Sequence, residues 1–191
     1  MDGGSGPHEN IDLSENDSFP ASLKSGTSVL VASAGDPAEY AVSLRILCNQ
    51  GTAKDTALVV TTTENAEQTI ERYEHCLSET ERPSLGIVDT TSQQSISALY
   101  CEPPIVFTPS PGDLERLVLG LSDLSEKTAP AEGAQHLVIR SLTPILDVLS
   151  ADRVETVLEK VVELRSETGL SLFGIDYTSH DEETMAAVAN S

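Results

Sequence analysis

The sequence is poor in cations, with 11 lysines and arginines against 31 aspartates and glutamates, and its formal net charge is −20. Nucleic acids bind proteins chiefly through lysine and arginine, so this balance excludes a protein that binds them through a basic surface. Long apolar runs are also missing, and a helix that crosses a bilayer needs about 20 mostly apolar residues. The first residues contain no apolar segment of the secretory type, so we expect a cytoplasmic protein that does not enter a membrane.

Motifs for common cofactors are missing as well. The three cysteines, Cys48, Cys76 and Cys101, are widely spaced and form no Cys-x-x-Cys pair, which argues against a zinc site or a disulfide framework. No Gly-x-Gly-x-x-Gly sequence occurs, which argues against a nicotinamide enzyme. The sequence therefore predicts neither a bound metal nor a cofactor.

Acidic residues are spread along the chain, from Asp2 to Glu183, rather than gathered in one tail. A surface this negative repels itself at low ionic strength, whereas at about 1 M salt the Debye length is only about 3 Å. We therefore interpret the composition as halophilic and expect a salt-rich cytoplasm.

The chain divides into two parts by composition. Residues 1–22 are rich in Gly, Ser, Asn, Asp and Glu, and their few apolar residues are isolated, which is typical of a disordered acidic tail. Residues 23–191 are numerous enough to bury one sizeable core, and we expect them to form a single domain.

Within that part, short apolar runs alternate with amphipathic helical segments. The runs are Val29–Ala32, Ala57–Val60, Leu85–Val88, Pro104–Phe107, His136–Ile139 and Leu170–Ile175. Strands that are apolar throughout are buried on both faces, so the pattern predicts a three-layer α/β/α fold with a mainly parallel sheet. Prolines flank the Pro104–Phe107 run, which indicates a short edge strand.

Helix boundaries are also predicted from local signals. Asn65 followed by Gln68 is typical of a capping box, and Ser110 before a proline indicates a helix start. Asp152 is expected to cap a strong helix that ends at Gly169.

Polar residues stand where the apolar runs end, and the carboxyl ends of parallel strands line the ligand crevice of an open α/β sheet. These residues are Ser33, Thr61 to Glu64, Asp89, Arg140 and Asp176. Any chemistry is therefore expected at this edge.

Five segments in this order resemble the RecA superfamily, and within it the KaiC-like ATPases, over about 29–183. The segments are VLVASAGDPAEYAVSLRILCNQG, ALVVTTTEN, PSPGDLERLVLGLSDL, HLVIRSLTPIL and LSLFGIDYTSHDEE. With its acidity, the chain is similar to degenerate KaiC-like proteins of halophilic archaea.

The resemblance implies that the phosphate-binding loop, GxxxxGK[ST], has degenerated. When Gly51 is matched to the glycine that follows the family's first helix, Tyr40 stands at the lysine position, Ala41 at the hydroxyl position and Glu39 at a glycine position. The cation that meets the phosphates and the hydroxyl that holds Mg²⁺ are then both replaced. The vestigial loop consists of Ser33, Gly35, Asp36, Glu39 and Tyr40.

Arg140 stands where the family has its metal-orienting aspartate, and an arginine repels Mg²⁺. Glu64 matches the family's catalytic glutamate and is a vestigial candidate, or simply a polar residue that leads into a helix. The resemblance thus implies a non-catalytic regulatory or protein-interaction domain without a nucleotide cofactor, which acts through partner proteins or self-association. The alternative is an ATPase with an atypical loop, in which Ser33, Gly35 and backbone N–H groups hold phosphate.

Arg140 is expected within about 4 Å of the carboxylate of Glu64, Asp36 or Glu39, because carboxylates that meet at one edge need a cation. The alternative is that Arg140 points to solvent.

Three other groups have two interpretations each. Asp89 ends a strand, as a phospho-acceptor does in receiver domains, although the acidic pair and the lysine of those domains are missing. The run 180–183 is able to bind a cation or to form a solvated helix start. His75 and Cys76 lie on a helix without a visible partner for nucleophilic catalysis.

Overall fold

The computed structural model describes residues 22–76, 82–93 and 101–190, and the predicted tail lies, except for Ser22, outside the described residues. The strands are β1 (Ser28–Ser33), β2 (Thr56–Thr61), β3 (Ser84–Asp89), β4 (Ile105–Phe107), β5 (Gln135–Ile139) and β6 (Ser171–Asp176). They form one sheet in the order β1-β6-β5-β2-β3-β4, and every neighbouring pair is parallel. The predicted edge position of the Pro104–Phe107 run is confirmed, and its strand, β4, begins at Ile105.

Helices cover both faces of this sheet. They are α1 (Val42–Gln50), α2 (Ala66–His75), α3 (Leu114–Thr128), α4 (Thr143–Leu146), α5 (Ala151–Val162) and α6 (Glu182–Asn190), with a single 3-10 turn at Tyr177–Ser179. Buried residues of α1 and α2 pack on one face, and those of α3 to α6 pack on the other. The predicted three-layer α/β/α fold is therefore confirmed.

The central strands are buried along their whole length, as their apolar sequences predict. Every residue of β2 and β5 is buried, and Leu58, Val59 and Leu137 are fully inaccessible to solvent. Alternate residues of these strands contribute to the two different cores, so both faces need apolar side chains. Because β2 and β5 are held on both faces, they fix the positions of the residues that follow their carboxyl ends.

Two predicted helix starts differ from the structure. The capping box at Asn65 and Gln68 is present. The cap of α3 is Asp113, whose carboxylate accepts from the Arg116 N–H at 3.2 Å, rather than Ser110. Helix α5 has Ser150 at the cap position without a side-chain bond, and Asp152 lies in its first turn.

The predicted end of α5 at Gly169 is also wrong, because the helix ends at Val162. Arg165 holds the chain beyond it in a turn by donating to the carbonyls of Gly169 and Gly26, at 3.0 and 2.9 Å. A Cβ at position 169 would collide with the carbonyl of Gln135. The glycine therefore permits close approach to β5 rather than ending the helix.

A buried histidine at the start of β5 gives a pH prediction. His136 Nδ1 accepts from the Leu170 N–H at 2.9 Å, and its Nε2 lies 3.6 Å from Asp55 Oδ2. Burial lowers the pKa of His136, although the carboxylate of Asp55 opposes this shift. The unfolded chain therefore takes up this proton at a higher pH, near 6.5, than the folded protein does. The neutral His136 ring therefore makes its full contribution to stability above about pH 6.5, and this contribution is lost as the pH falls below that value.

Chemical denaturation at pH values from about 7.5 to 5 measures this effect. As the pH is lowered, the free energy of unfolding of the wild type should decrease, and that of His136→Gln should decrease less steeply. The matched control is His75→Gln, at an exposed position, which should keep the wild-type slope. Equal slopes for the wild type and His136→Gln would show that His136 is not responsible.

Candidate functional site

The candidate site lies at the carboxyl ends of the central strands, around a buried arginine. The N–H of Arg140 donates to the Val60 carbonyl at 3.0 Å, so its backbone prolongs the ladder between β5 and β2. The Arg140 side chain is only 1% exposed. A charged side chain this deeply buried requires partners, because desolvation of an unpaired charge costs several kcal/mol.

The partners of Arg140 come from three other segments. Its Nη1 donates to Glu64 Oε2 at 2.6 Å and to the Thr69 hydroxyl at 2.9 Å, and its Nη2 donates to the Ala38 carbonyl at 2.6 Å. The predicted ion pair with Glu64 is present, and the alternative of an Arg140 that points to solvent is wrong. Burial lowers the pKa of Arg140, while the hydrogen bond and charge of Glu64 oppose that shift.

A second guanidinium completes the site. Arg72, on α2, places Nε 2.6 Å from Glu64 Oε1 and donates from Nη1 to the Glu39 carbonyl at 2.9 Å. Each oxygen of the Glu64 carboxylate thus has its own arginine. Arg72 was not predicted; the available signal was its position three residues after Thr69, on the same face of a helix.

The turn between β2 and α2 sets the position of Glu64. The Thr61 hydroxyl donates to the Glu64 carbonyl, and the capping box of Asn65 and Gln68 starts α2 immediately afterwards. The helix then carries Thr69 and Arg72 toward the strand ends. We name Arg140, Glu64, Arg72, Thr69 and the Ala38 carbonyl the arginine cluster.

The loop between β1 and α1 folds over this cluster. Asp36 accepts from the Ala38 N–H at 2.9 Å, and the Ala41 N–H donates to the Ala38 carbonyl at 3.1 Å. Ala38 is 1% exposed, so its carbonyl is buried with the guanidinium of Arg140. A loop that binds phosphate presents N–H groups, whereas this loop presents a carbonyl oxygen to the site.

The other residues predicted for the loop lie elsewhere. Tyr40, at the expected lysine position, is 58% exposed. Glu39 accepts a hydrogen bond from Arg72 through its backbone carbonyl. Of the three carboxylates predicted to pair with Arg140, only that of Glu64 forms an ion pair with it in the described part of the chain. Asp36 adds only its charge at longer range, which favours the charged form of Arg140.

The Gly35 N–H already has a hydrogen-bond acceptor, the carboxylate of Asp176. This N–H donates to Asp176 Oδ1 at 3.0 Å, and the Ser33 hydroxyl donates to the Gly35 carbonyl at 2.9 Å. Hydrogen bonds to the Asp176 carboxylate lower its pKa to about 2, and the bond from the Thr178 hydroxyl makes the largest contribution. The end of β6 thereby holds the loop in place and occupies a donor that an atypical phosphate loop would need.

Close packing also holds the loop against the sheet. A Cβ at Gly174, on β6, would collide with the Arg140 carbonyl and would lie 2.8 Å from the Pro37 ring. Glycine is thus required where the loop, β5 and β6 meet.

Asp89 has a structural role in the same edge. It is 0% exposed, and its two oxygens accept from the N–H groups of Ala66, Thr91 and Ser92 and from the hydroxyls of Thr91 and Ser92. Burial raises the pKa of Asp89, but these hydrogen bonds hold it below its ordinary value. With both oxygens engaged and no exposure, Asp89 lacks the access that a phospho-acceptor requires.

The remaining candidates are buried or make structural contacts, and His180 Nε2 lies 3.1 Å from the Thr143 hydroxyl. His75 Nδ1 lies 2.6 Å from the Glu71 carbonyl, and burial raises the pKa of the Cys76 thiol. Asp181 accepts from the Thr184 N–H at 2.8 Å in α6. Over residues 22–76, 82–93 and 101–190, no group of three or more His, Cys, Asp or Glu side chains is placed to hold a metal ion.

A groove of about 680 Å³ lies at the opposite edge, where β2 and β3 begin. Its lining includes Thr56, Ser84 and Tyr73, and the Arg82 guanidinium lies 4.9 Å from the centre of the Tyr73 ring. The groove and the arginine cluster are therefore at opposite ends of the strands. No helix in the described parts of the chain is long and apolar enough to span a bilayer.

The chain is similar to a protein family and to proteins of known structure. No curated protein matches the sequence. Among solved structures, a KaiC-like protein from the hyperthermophilic archaeon Pyrococcus horikoshii OT3 is similar, with a TM-score of 0.48 and 14% identity. That match covers 86% of this chain and 68% of the other. The model of DUF7504, a family of unknown function, matches residues 26–190, and the chain therefore belongs to the DUF7504 family.

Proposed function

We propose that this protein is a non-catalytic regulatory or protein-interaction domain in which ATP binding and hydrolysis have been lost. The observation that carries the proposal is the arginine cluster. Arg140 and Glu64 form a buried ion pair at the strand ends, where the resemblance to KaiC-like ATPases would put the metal and the phosphates.

The cations of the cluster are already engaged, which supports the loss of phosphate binding. Arg140 is 1% exposed and has three partners, and Arg72 is held by Glu64 and by the Glu39 carbonyl. To reach the buried guanidinium of Arg140, a triphosphate would have to displace Glu64 from it. It would also meet the Ala38 carbonyl, which repels an anion.

Magnesium binding is disfavoured for a related reason. Mg²⁺ prefers carboxylate, phosphate or water oxygens in an octahedral arrangement. Both oxygens of Glu64 accept from arginines, and both oxygens of Asp89 accept from N–H and hydroxyl groups. Neither carboxylate has an oxygen free to act as a ligand.

Exposed tyrosines support a role in protein contacts. Aromatic residues make up 4% of the chain, yet Tyr40 is 58% exposed and Tyr177 is 49% exposed, both in segments that follow strands at the same edge. Tyrosine is enriched in protein interfaces because it combines a large apolar ring with a polar end. The carboxyl edge is thus suited to protein contacts rather than to nucleotide chemistry.

Measurement of phosphate release from MgATP tests the loss of hydrolysis. We expect the wild type to release phosphate no faster than buffer alone, because the arginine cluster excludes the γ-phosphate, and Glu64→Gln should behave identically. Release by the wild type that Glu64→Gln abolishes would support the alternative, an ATPase with an atypical loop.

A further inference from the structure

Among the described strands, β1 lies at one edge of the sheet. In the described sheet its one neighbour is β6. The opposite edge strand, β4, has three residues, with Pro104 directly before it, as is common for protected edges. By contrast, β1 has six residues, SVLVAS, and contains no proline, glycine or charged residue.

The ladder between β1 and β6 shows which backbone groups face outward. The Thr27 carbonyl accepts from the Ser171 N–H at 3.0 Å, so it points toward β6. Since the N–H and C=O of one strand residue point to the same side and successive residues alternate, Val29 and Val31 also face β6. The outward-facing residues are Ser28, Leu30 and Ala32. Ser28 and Ala32 are exposed, and Leu30 is half-buried.

We propose that β1 pairs with β1 of a second copy of this chain, antiparallel, so that one sheet continues through a two-fold dimer. This inference goes beyond the proposed function. It concerns a different surface from the arginine cluster, so the two are tested independently.

The absence of charge on β1 makes a second copy a suitable occupant of this edge. Each chain carries a net charge of −20, so two copies repel at low ionic strength, and a contact between them must bring no further carboxylates into opposition. An uncharged strand meets this condition in every antiparallel register with itself. The self-pairing also needs no complementary sequence, because both strands are the same.

An exposed aromatic residue extends the contact. Ser33 at the end of β1 is paired in register with Asp176, and Tyr177 follows directly with 49% of its surface exposed. In an antiparallel pair, the end of one β1 lies beside the start of the other. Tyr177 is thus available to cover the first residues of the second strand.

The proposal predicts association that strengthens with salt. Screening reduces the repulsion between the two negative bodies, while the backbone hydrogen bonds of the pairing are little affected. Sedimentation equilibrium at KCl concentrations from about 0.15 to about 2 M measures this association. The mass should rise from 20.3 kDa toward twice that value as protein and salt concentrations increase.

Ala32→Pro is the decisive variant. Proline removes the N–H that faces outward and leaves the bonds to β6, which come from residues 29, 31 and 33, in place. We expect at least about tenfold weaker association, because each copy loses one hydrogen bond and gains a steric obstacle. Ala32→Ser, which keeps the N–H, is the matched control and should associate like the wild type. Circular dichroism checks that both variants are folded.

Amide hydrogen exchange provides a readout that does not depend on a variant. In the dimer, the amides of Leu30 and Ala32 should become protected as protein concentration rises, whereas those of Val29 and Val31 are protected at every concentration. A monomer at all concentrations, a dimer unaffected by a folded Ala32→Pro protein, or concentration-independent exchange at Leu30 and Ala32 would each overturn the proposal. None of these outcomes bears on ATP binding.

Discussion

Replacement of Arg140 by alanine is expected to lower the free energy of unfolding by about 3–5 kcal/mol, the usual cost of breaking a buried ion pair by removing one partner. The side chain is 1% exposed, so its loss leaves a cavity, and the Ala38 carbonyl keeps only the Ala41 N–H as a donor. Glu64 would keep Arg72, which limits but does not remove the effect. Urea denaturation monitored by circular dichroism measures the change.

The matched control is Arg153→Ala, which removes the same charge from an exposed position on α5. We expect that change to stay within about 0.5 kcal/mol of the wild type. A double-mutant cycle with Glu64→Ala then isolates the pair, and coupling of about 1 kcal/mol or more is expected between groups in direct contact. A loss below about 1 kcal/mol for Arg140→Ala would contradict the buried ion pair.

Stability is expected to increase strongly with salt. The chain has 31 acidic residues and 11 basic ones, so folding concentrates negative charge that the unfolded chain keeps apart. Between about 0.1 and about 3 M KCl the Debye length falls from about 10 Å to below about 3 Å. The melting temperature should rise by about 10 °C or more, which for a domain of this size corresponds to several kcal/mol.

The control for this prediction is an uncharged osmolyte. Sucrose stabilises proteins by exclusion from their surfaces but does not screen charge. At matched osmolality it should raise the melting temperature less than KCl does. A melting temperature that is flat in KCl, or that rises equally in sucrose, would count against a halophilic surface.

The sequence was sufficient to predict the fold because the strands are buried on both faces. Runs such as Ala57–Val60 are apolar throughout, and no position of β2 faces solvent. Helix ends were less predictable because several residues compete for each cap. Asp113, three residues after Ser110, forms the bond that starts α3, and a charged acceptor binds a backbone N–H more strongly than a hydroxyl does.

The candidate site was predicted in part. Arg140 and Glu64 follow neighbouring strands, β5 and β2, so parallel topology alone brings them to one edge. Arg72 was missed because its direction depends on where α2 begins and how the helix packs. The Ala38 carbonyl was missed because the loop's backbone orientation depends on tertiary contacts, such as the bond from Gly35 to Asp176 and the packing of Pro37 on Gly174.

Calorimetric titration of MgATP into the folded protein at high salt tests the central claim most directly. The claim is that the arginine cluster occupies the place of the nucleotide's phosphates and metal. We predict no saturable heat up to about 1 mM MgATP, a limit that corresponds to about −4 kcal/mol of binding free energy. Saturable binding with a micromolar dissociation constant, dependent on Mg²⁺ and altered by Glu64→Gln, would contradict the account.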